Sequence, residues 1–315
     1  MGMHAVMDKE FPVRSTQAER EAFREFLIRS AADMGYKAEV EENGMMKYRN
    51  VIVGDPEHAA VLFVAAQDTP VRRFLPETEI LHSPVFFILQ QMLHVFALFV
   101  PSVAAAYLAM QLLGNARIAL AAFLIVYLGL ILLLRFGPAQ KENSMITAAP
   151  ALLLDLMATI PEERRKKVAF MFTDARYHGR GGSRAYAKAH EQVAYTRMTV
   201  TVDQPYTGNQ TVTVARPLAE KCTGYRSFLR RLSEQEILHT EHLPNRWTVM
   251  QTDQKQFKCG IELTSATRKP VIGFVIPSGS KAEYTPLRET ALLQALTNFV
   301  MDITVPAQES GGKHR

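Results

Sequence analysis

The sequence predicts an α/β fold: a mixed sheet layered by helices and interrupted by a two-helix transmembrane hairpin. Three observations carry this. Helical patterns alternate along the chain with short apolar runs of strand type. Ser83–Ala116 and Ile118–Leu134 contain no Asp, Glu, Lys or Arg. The helix and strand alternation then resumes, so one domain is split by an insertion. The expected organisation is a first part of the α/β domain over residues 1–83, the hairpin over 84–136, the second part over 137–305, and a disordered tail over 306–315.

At the N-terminus, Thr16-x-x-Glu19 reads as a capping box. The helix it opens places Phe23, Phe26, Leu27 and Ala31 at helical spacing. "KYRNVIVGD" and "AAVLFVAAQD" read as paired strands. The first charge-free run exceeds the ~20 apolar residues that cross a bilayer as helix. The second is slightly short, and Arg117 and Arg135 extend it by reaching the interfaces. Pro101 is expected to kink the first helix by removing one backbone hydrogen bond. Gln90, Gln91 and His94 read as helix-contact or near-interface groups, because the second helix offers no polar partner. Arg72 and Arg73 precede the hairpin, Arg135 and Lys141 follow it, and the connector holds only Arg117. The positive-inside rule then puts both flanks, and both termini, in the cytoplasm.

Beyond the hairpin, Ala148–Thr159 reads as a helix stopped before Pro161, and "KVAFMFTD" as a buried strand. "MTVTVD" and "QTVTVAR" alternate in β fashion. A helix near Tyr225–His239, the strand "PVIGFVIP" and a closing helix over Leu287–Asp302 complete the reading.

Composition narrows the function. The chain has 315 residues, 48% of them hydrophobic, and a net charge of +5 with basic and acidic residues interspersed. No basic stripe interleaved with aromatics appears, which argues against nucleic acid as a partner. The two cysteines, Cys222 and Cys259, form no CxxC pair, so neither a disulfide framework nor a structural zinc site is expected. The opening "MGMHAVMDKEFPVR" lacks the apolar core of a signal peptide.

The segment "FMFTDARYHGRGGSRAYAKAH" runs a buried strand into a glycine-rich loop and then a helix opening at a serine. Loops of this build carry function. No HExxH, no metal-spaced Cys/His pair and no GxSxG occurs anywhere, and "GRGGS" lacks the Lys-Ser/Thr ending of a phosphate loop.

Outside the hairpin the chain resembles the co-catalytic zinc aminopeptidases, the family of bacterial leucyl aminopeptidases, glutaminyl cyclases and the transferrin receptor ectodomain. "VLFVAAQDTP" resembles the family's strand ending in a His-x-Asp-Thr motif, and "ALLLDLMA" the helix after its bridging aspartate. "FTDARYHGRGGSRAYAKAH" resembles its Asp-Ala-Glu-Glu stretch and Gly-Ser helix start. "VTVDQPYTG" resembles the strand ending in a metal-binding aspartate, and "EYTPLRET" the late His-Thr-Pro segment. The resemblance implies a zinc-aminopeptidase-like sheet and a cleft built for two zinc ions.

Carried over position by position, the resemblance leaves little of that site. The first histidine falls on Ala66; Asp68, which in the family orients it, has nothing left to orient. The bridging aspartate falls near Glu142, the general-base glutamate on Arg176, and its neighbouring ligand on Tyr177. Asp203 stands where the third carboxylate belongs, and the last histidine falls on Tyr284. Arginine cannot act as a general base and repels a divalent cation. His178 is the candidate for a displaced ligand, with Asp174 and His190 nearby in sequence. Glu142, His178 and Asp203 are thus the residual metal candidates, while Asp68, Arg176, Tyr177 and Tyr284 mark the degenerate cleft. The expectation is a membrane-anchored binding or scaffolding module without a cofactor, its partners the lipid bilayer and a peptide or protein in the old cleft. The alternative is an active membrane-bound hydrolase with an atypical zinc site.

Overall fold

A computed structural model of the chain describes residues 2–70, 79–80, 84–136, 144–177, 179–244, 252–270, 272–276 and 286–303. Glu142, His178, Tyr284, Arg72, Arg73, Lys141 and the 306–315 tail therefore lie outside the described residues.

The chain opens with α1 (Met3–Glu10) and α2 (Gln17–Asp33), followed by strands β1 (Ala38–Asn43), β2 (Tyr48–Val53), β3 (Val61–Ala66) and β4 (Glu79–Ile80). Two long helices come next, α3 (Pro84–Leu113) and α4 (Ala116–Phe136). The second half contains α5 (Ser144–Thr159), α6 (Glu162–Arg165), β5 (Val168–Thr173), α7 (Gly181–Ala189), α8 (Glu191–Thr196) and β6 (Met198–Val202). It ends with β7 (Gln210–Ala215), α9 (Tyr225–Ser233), β8 (Glu241–Pro244), β9 (Gly260–Lys269), β10 (Gly273–Ile276) and α10 (Pro286–Asp302).

The capping box is present: Glu19 N–H donates to Thr16 Oγ1 at 3.3 Å, and Thr16 N–H donates to Glu19 Oε2 at 2.8 Å. The strands form one mixed sheet in the order β1-β2-β5-β3-β6-β9-β10-β4, with β7 joining β8 to β9. β3 runs parallel to β5 and β6, and β6 parallel to β9, so their carboxyl ends share one edge of the molecule. The expected pairing of β2 with β3 is corrected. β2 pairs with β1 and β5, and β5 stands between β2 and β3. Strands adjacent in sequence pair directly when a tight turn joins them, whereas the fully buried centre of a parallel sheet recruits its neighbours from far along the chain.

All six residues of β3 are buried, and the period-2 pleat divides them between two layers. Val61, Phe63 and Ala65 face a core shared with α2, α5, α9 and α10, where Phe63 stacks on Phe170 at 5.6 Å. Leu62 and Val64 face a smaller core with Tyr186, Val193 and Ala194 of α7 and α8. α5 begins at Ser144, four residues before the sequence reading, and carries Pro150 inside it. The helix expected over Tyr225–His239 ends at Ser233, and a short 3₁₀ turn over Glu236–Leu238 follows.

α3 and α4 pack on each other, with Phe99 meeting Phe123 edge-on at 5.5 Å. Of their most apolar windows only 6% and 0% of residues are buried. Ile88, Leu89, Phe96, Tyr107, Ile125 and Leu128 all face outward. Both helices are long and apolar enough to cross a membrane. Pro101 lies inside α3. His94 Nδ1 meets the Gln90 carbonyl at 2.7 Å within the same helix.

Candidate functional site

The shared carboxyl edge of β3, β5, β6 and β9 gathers the polar residues. Beyond β3 lie Gln67, Asp68 and Thr69, all buried; Ala66, its last residue, presents only a methyl group. Beyond β5 the chain turns sharply, with Ala175 and Arg180 at positive φ, 52° and 57°. Such backbone is strained for a residue with a Cβ and persists only where its surroundings over-determine it. Asp68 supplies that constraint: it accepts the N–H groups of Arg176 at 3.1 Å and Tyr177 at 3.2 Å. The expectation that Asp68 has nothing to orient is therefore corrected, since it orients the loop that carries the replaced positions.

The loop feeds α7 through Gly181 and Gly182. A Cβ on Gly182 would sit 2.4 Å from both Asn50 Oδ1 and the Asp174 carbonyl, so the helix can enter only without one. Asp253, in a 3₁₀ turn ahead of β9, accepts Thr173 Oγ1 at 2.7 Å and Ser183 Oγ at 2.6 Å, tying the end of β5 to the first turn of α7.

Arg176 turns inward. Its guanidinium donates through Nη2 to Asp203 Oδ2, and both side chains are only 4% exposed. Its carbon centre lies 5.5 Å from the Tyr177 ring centroid. Asp203 N–H donates to the Leu263 carbonyl at 3.0 Å, which seats Asp203 beside Glu262, the latter fully buried within β9. Arg176 thus faces the carboxyls of Asp203, Asp253 and Glu262.

The electrostatics follow from burial and charge. Burial opposes the charge on Arg176, but Asp203, Tyr177, Asp253 and Glu262 together override it and hold the guanidinium well above its ordinary range. Burial lifts the Asp203 carboxyl, with Arg176 pulling it down and Asp253 pushing it up. Burial lifts Glu262 much further, well above the ordinary carboxylate range, against the pull of Arg176. Burial thereby favours the protonated form of Glu262. A second buried guanidinium, Arg14, donates from Nε to the Gln67 carbonyl at 2.7 Å and from Nη1 to Thr147 Oγ1 at 3.0 Å. Burial pushes it down to about 10, and the charge of Asp68 opposes that shift.

Of the residues singled out in the sequence, the structure brings Asp68, Arg176, Tyr177 and Asp203 together. Asp174 and His190 do not join them. Asp174 accepts the Arg49 and Ala175 N–H groups at 3.2 and 2.9 Å, and His190 Nε2 meets Glu41 Oε1 at 2.6 Å beside β1. Arg14, Asp253 and Glu262 were missed. Glu262 had a signal, a lone carboxylate between Ile261 and Leu263 in an apolar strand; Arg14 and Asp253 had none.

Among the described residues no group of three or more His, Cys, Asp or Glu side chains is placed to hold a metal ion. The donor set fits a zinc pair poorly: a methyl group stands at Ala66, and a guanidinium already occupies the Asp203 carboxylate.

No protein-family model matches the sequence, and no curated protein does either. The fold itself is shared with solved structures. Glutaminyl cyclase from Porphyromonas gingivalis superposes with a TM-score of 0.55 at 9% identity, covering 95% of this chain and 96% of that one. Glutaminyl cyclase from Bacteroides thetaiotaomicron, solved bound to N-acetylhistamine, gives 0.53 at 11% identity over 96% and 97%. A leucine aminopeptidase precursor from Bacteroides thetaiotaomicron VPI-5482 gives 0.52 at 11% over 96% and 97%. The mixed α/β architecture is that of the glutaminyl cyclases and leucine aminopeptidases.

Proposed function

We propose that this chain is a membrane-anchored protein of aminopeptidase-like fold, with a guanidinium standing where relatives of this fold concentrate positive metal charge. It acts as a binding or scaffolding module and not as a hydrolase. One observation carries the reading: the Arg176–Asp203 ion pair, both side chains 4% exposed, with Glu262 and Asp253 facing the same guanidinium. A cation fixed to the backbone neutralises the buried carboxylates without leaving an open coordination position, and a general base cannot be an arginine.

Anchoring rests on α3 and α4. A soluble protein covers helices that are apolar on all sides, whereas these are exposed along nearly their whole length. Exposure on this scale suits hydrocarbon, not water. The flanking arginines orient both ends of the hairpin to the cytoplasm. The partner is a peptide or protein bound beside the Arg176 cluster, where Gly179 is exposed and Tyr177 and Arg180 are half-exposed.

The test is metal content and catalysis on the full chain purified in detergent. The expected result is less than about one zinc per chain, with no hydrolysis of aminoacyl anilides and no cyclisation of N-terminal glutamine. Stoichiometric zinc that disappears on Asp203→Ala would overturn the proposal and establish a rewired hydrolytic centre.

A further inference from the structure

At the opposite end of the sheet, the amino ends of β3 and β6 border a cavity of about 360 Å³ that contains both cysteines of the chain. Cys222 follows a 3₁₀ turn over Ala219–Lys221, and Cys259 immediately precedes β9. Far apart in sequence, the two are brought together by the antiparallel pairing of β7 with β9, which returns the chain to the same end. Cys222 Sγ donates to the Leu218 carbonyl at 3.6 Å, and Cys259 Sγ to the Tyr195 carbonyl at 3.2 Å. The two sulfurs lie close enough that one thiol can turn from its carbonyl and donate to the other. Cys222 is half-buried and Cys259 is 6% exposed, and both are reachable from the cavity. Arg197 and Lys221 line the same space, with Asp302 the acidic group among its walls.

A buried cysteine is ordinarily inert, because apolar surroundings disfavour the thiolate. Here one sulfur can give up its proton while the other donates to it. The Cys222 hydrogen bond, assisted by the charge of Arg216, holds Cys259 down to about 7 against burial. The same contact pushes Cys222 well above the thiol range, so the two ionisations belong to the pair.

We propose that Cys222 and Cys259 form a redox-active dithiol that exchanges with small disulfides, Cys259 attacking and Cys222 resolving. The Cys259 thiolate attacks one sulfur of the external disulfide, forming a mixed disulfide and releasing one thiolate. Cys222 then loses its proton to solvent and attacks Cys259 Sγ, closing the Cys222–Cys259 bond and expelling the second thiolate. The protein is oxidised by two electrons and the external disulfide is reduced to two thiols. The bond staples the loop ahead of α9 to the start of β9, the strand that carries Glu262 three residues further on. The Arg176–Asp203 ion pair is separate from this site and lies at the carboxyl ends of β5 and β6.

The full-length chain in detergent is incubated with oxidised glutathione at neutral pH and digested without reduction for peptide mass spectrometry. The expected product is a peptide linking residues 222 and 259 that dithiothreitol separates. Cys222→Ser keeps a hydroxyl donor and should trap a glutathionyl adduct at Cys259. Cys259→Ser should form its adduct at Cys222 roughly tenfold more slowly, following the thiolate fraction at neutral pH. Absence of the 222–259 link in the wild-type chain, or equal adduct rates in the two variants, overturns the proposal. The wild-type measurement stands even where a variant folds poorly.

Discussion

Replacing Arg176 with alanine removes the cation from a cluster in which Asp203 is 3% exposed and Glu262 is 0% exposed. Asp203 cannot recover its lost partner from water. Removing one member of a buried pair typically costs ~3–5 kcal/mol, whereas surface substitutions stay within ~0.5 kcal/mol. At ~2–4 °C per kcal/mol for a domain of this size, the thermal midpoint should fall by about 6–20 °C. The loss should depend on pH with a definite sign. Burial raises the folded pKa values of Asp203 and Glu262 and Arg176 lowers them, so in the variant both groups titrate higher still. A raised folded pKa gives relative stability that is complete below the unfolded value, ~3.9–4.3, and is lost as pH rises through the folded value. Wild type and Arg176→Ala should therefore converge in acid and separate towards neutrality. Replacing both partners, Arg176→Met with Asp203→Leu, should recover most of the loss, because an apolar pair leaves no charge buried alone. The assay is circular-dichroism melting of the full chain in detergent across that pH range. An unchanged midpoint for Arg176→Ala at neutral pH would refute the idea that this guanidinium neutralises the cluster.

Glu262→Gln should leave stability at neutral pH within ~0.5 kcal/mol and flatten its pH dependence, because burial favours the protonated acid that glutamine mimics; a large loss in the melt would mean that Glu262 is ionised. Gly182→Ala should destabilise by ~1–3 kcal/mol through overpacking against Asn50 and the Asp174 carbonyl, read from the same melting experiment. A cysteine placed at Asn115, between α3 and α4, in a chain with both native cysteines replaced by serine, should react with an impermeant probe only from the non-cytoplasmic face; labelling solely from the cytoplasm would reverse the topology. Excising residues 84–136 and joining the ends by a short linker should give a soluble folded domain, since α3 and α4 pack chiefly on each other; recovery only as insoluble aggregate counts against this.

What the sequence disclosed was local. The Thr16–Glu19 box, the β3 and β5 runs and the two charge-free helices each carry their signal within a dozen or two residues, and each stands where it was read. The pairing of β2 with β3 failed because neighbours in a parallel sheet are chosen by burial across long separations, and β5, from beyond the hairpin, wins the place beside β3. β1 and β9 escaped notice for a different reason. β1, "AEVEEN", is largely solvent-facing, and β9, "GIELTSATRK", breaks its apolar pattern with Glu262 and hydroxyl residues, of which Thr264 and Ser265 are buried in the folded sheet. The cluster was half legible. Asp68, Arg176 and Asp203 sit at strand ends with recognisable flanks, whereas Arg14 and Asp253 reach it from a loop and a 3₁₀ turn whose own sequences look ordinary.

The position of the insertion governs the order in which the molecule can assemble. Before α3 is synthesised, β1–β2 is the one pair among the described strands that can form; β2 still lacks β5, β3 lacks both β5 and β6, and β4 lacks β10. About 100 residues separate the end of β3 from the start of β5, which at ~5–20 residues per second leaves the centre of the sheet with two open edges for ~5–20 s. Those edges belong to "VLFVAA", a short, uncharged, β-prone segment of the type that recruits other chains. The two most apolar helices of the chain emerge during that same interval. On the membrane-anchored reading, partition of the hairpin into the bilayer holds the nascent protein at a surface while its central strand waits. A failure of insertion would then present the quality-control machinery with both hazards at once, which ties the lifetime of the α/β domain to the fate of a segment that its own fold does not use.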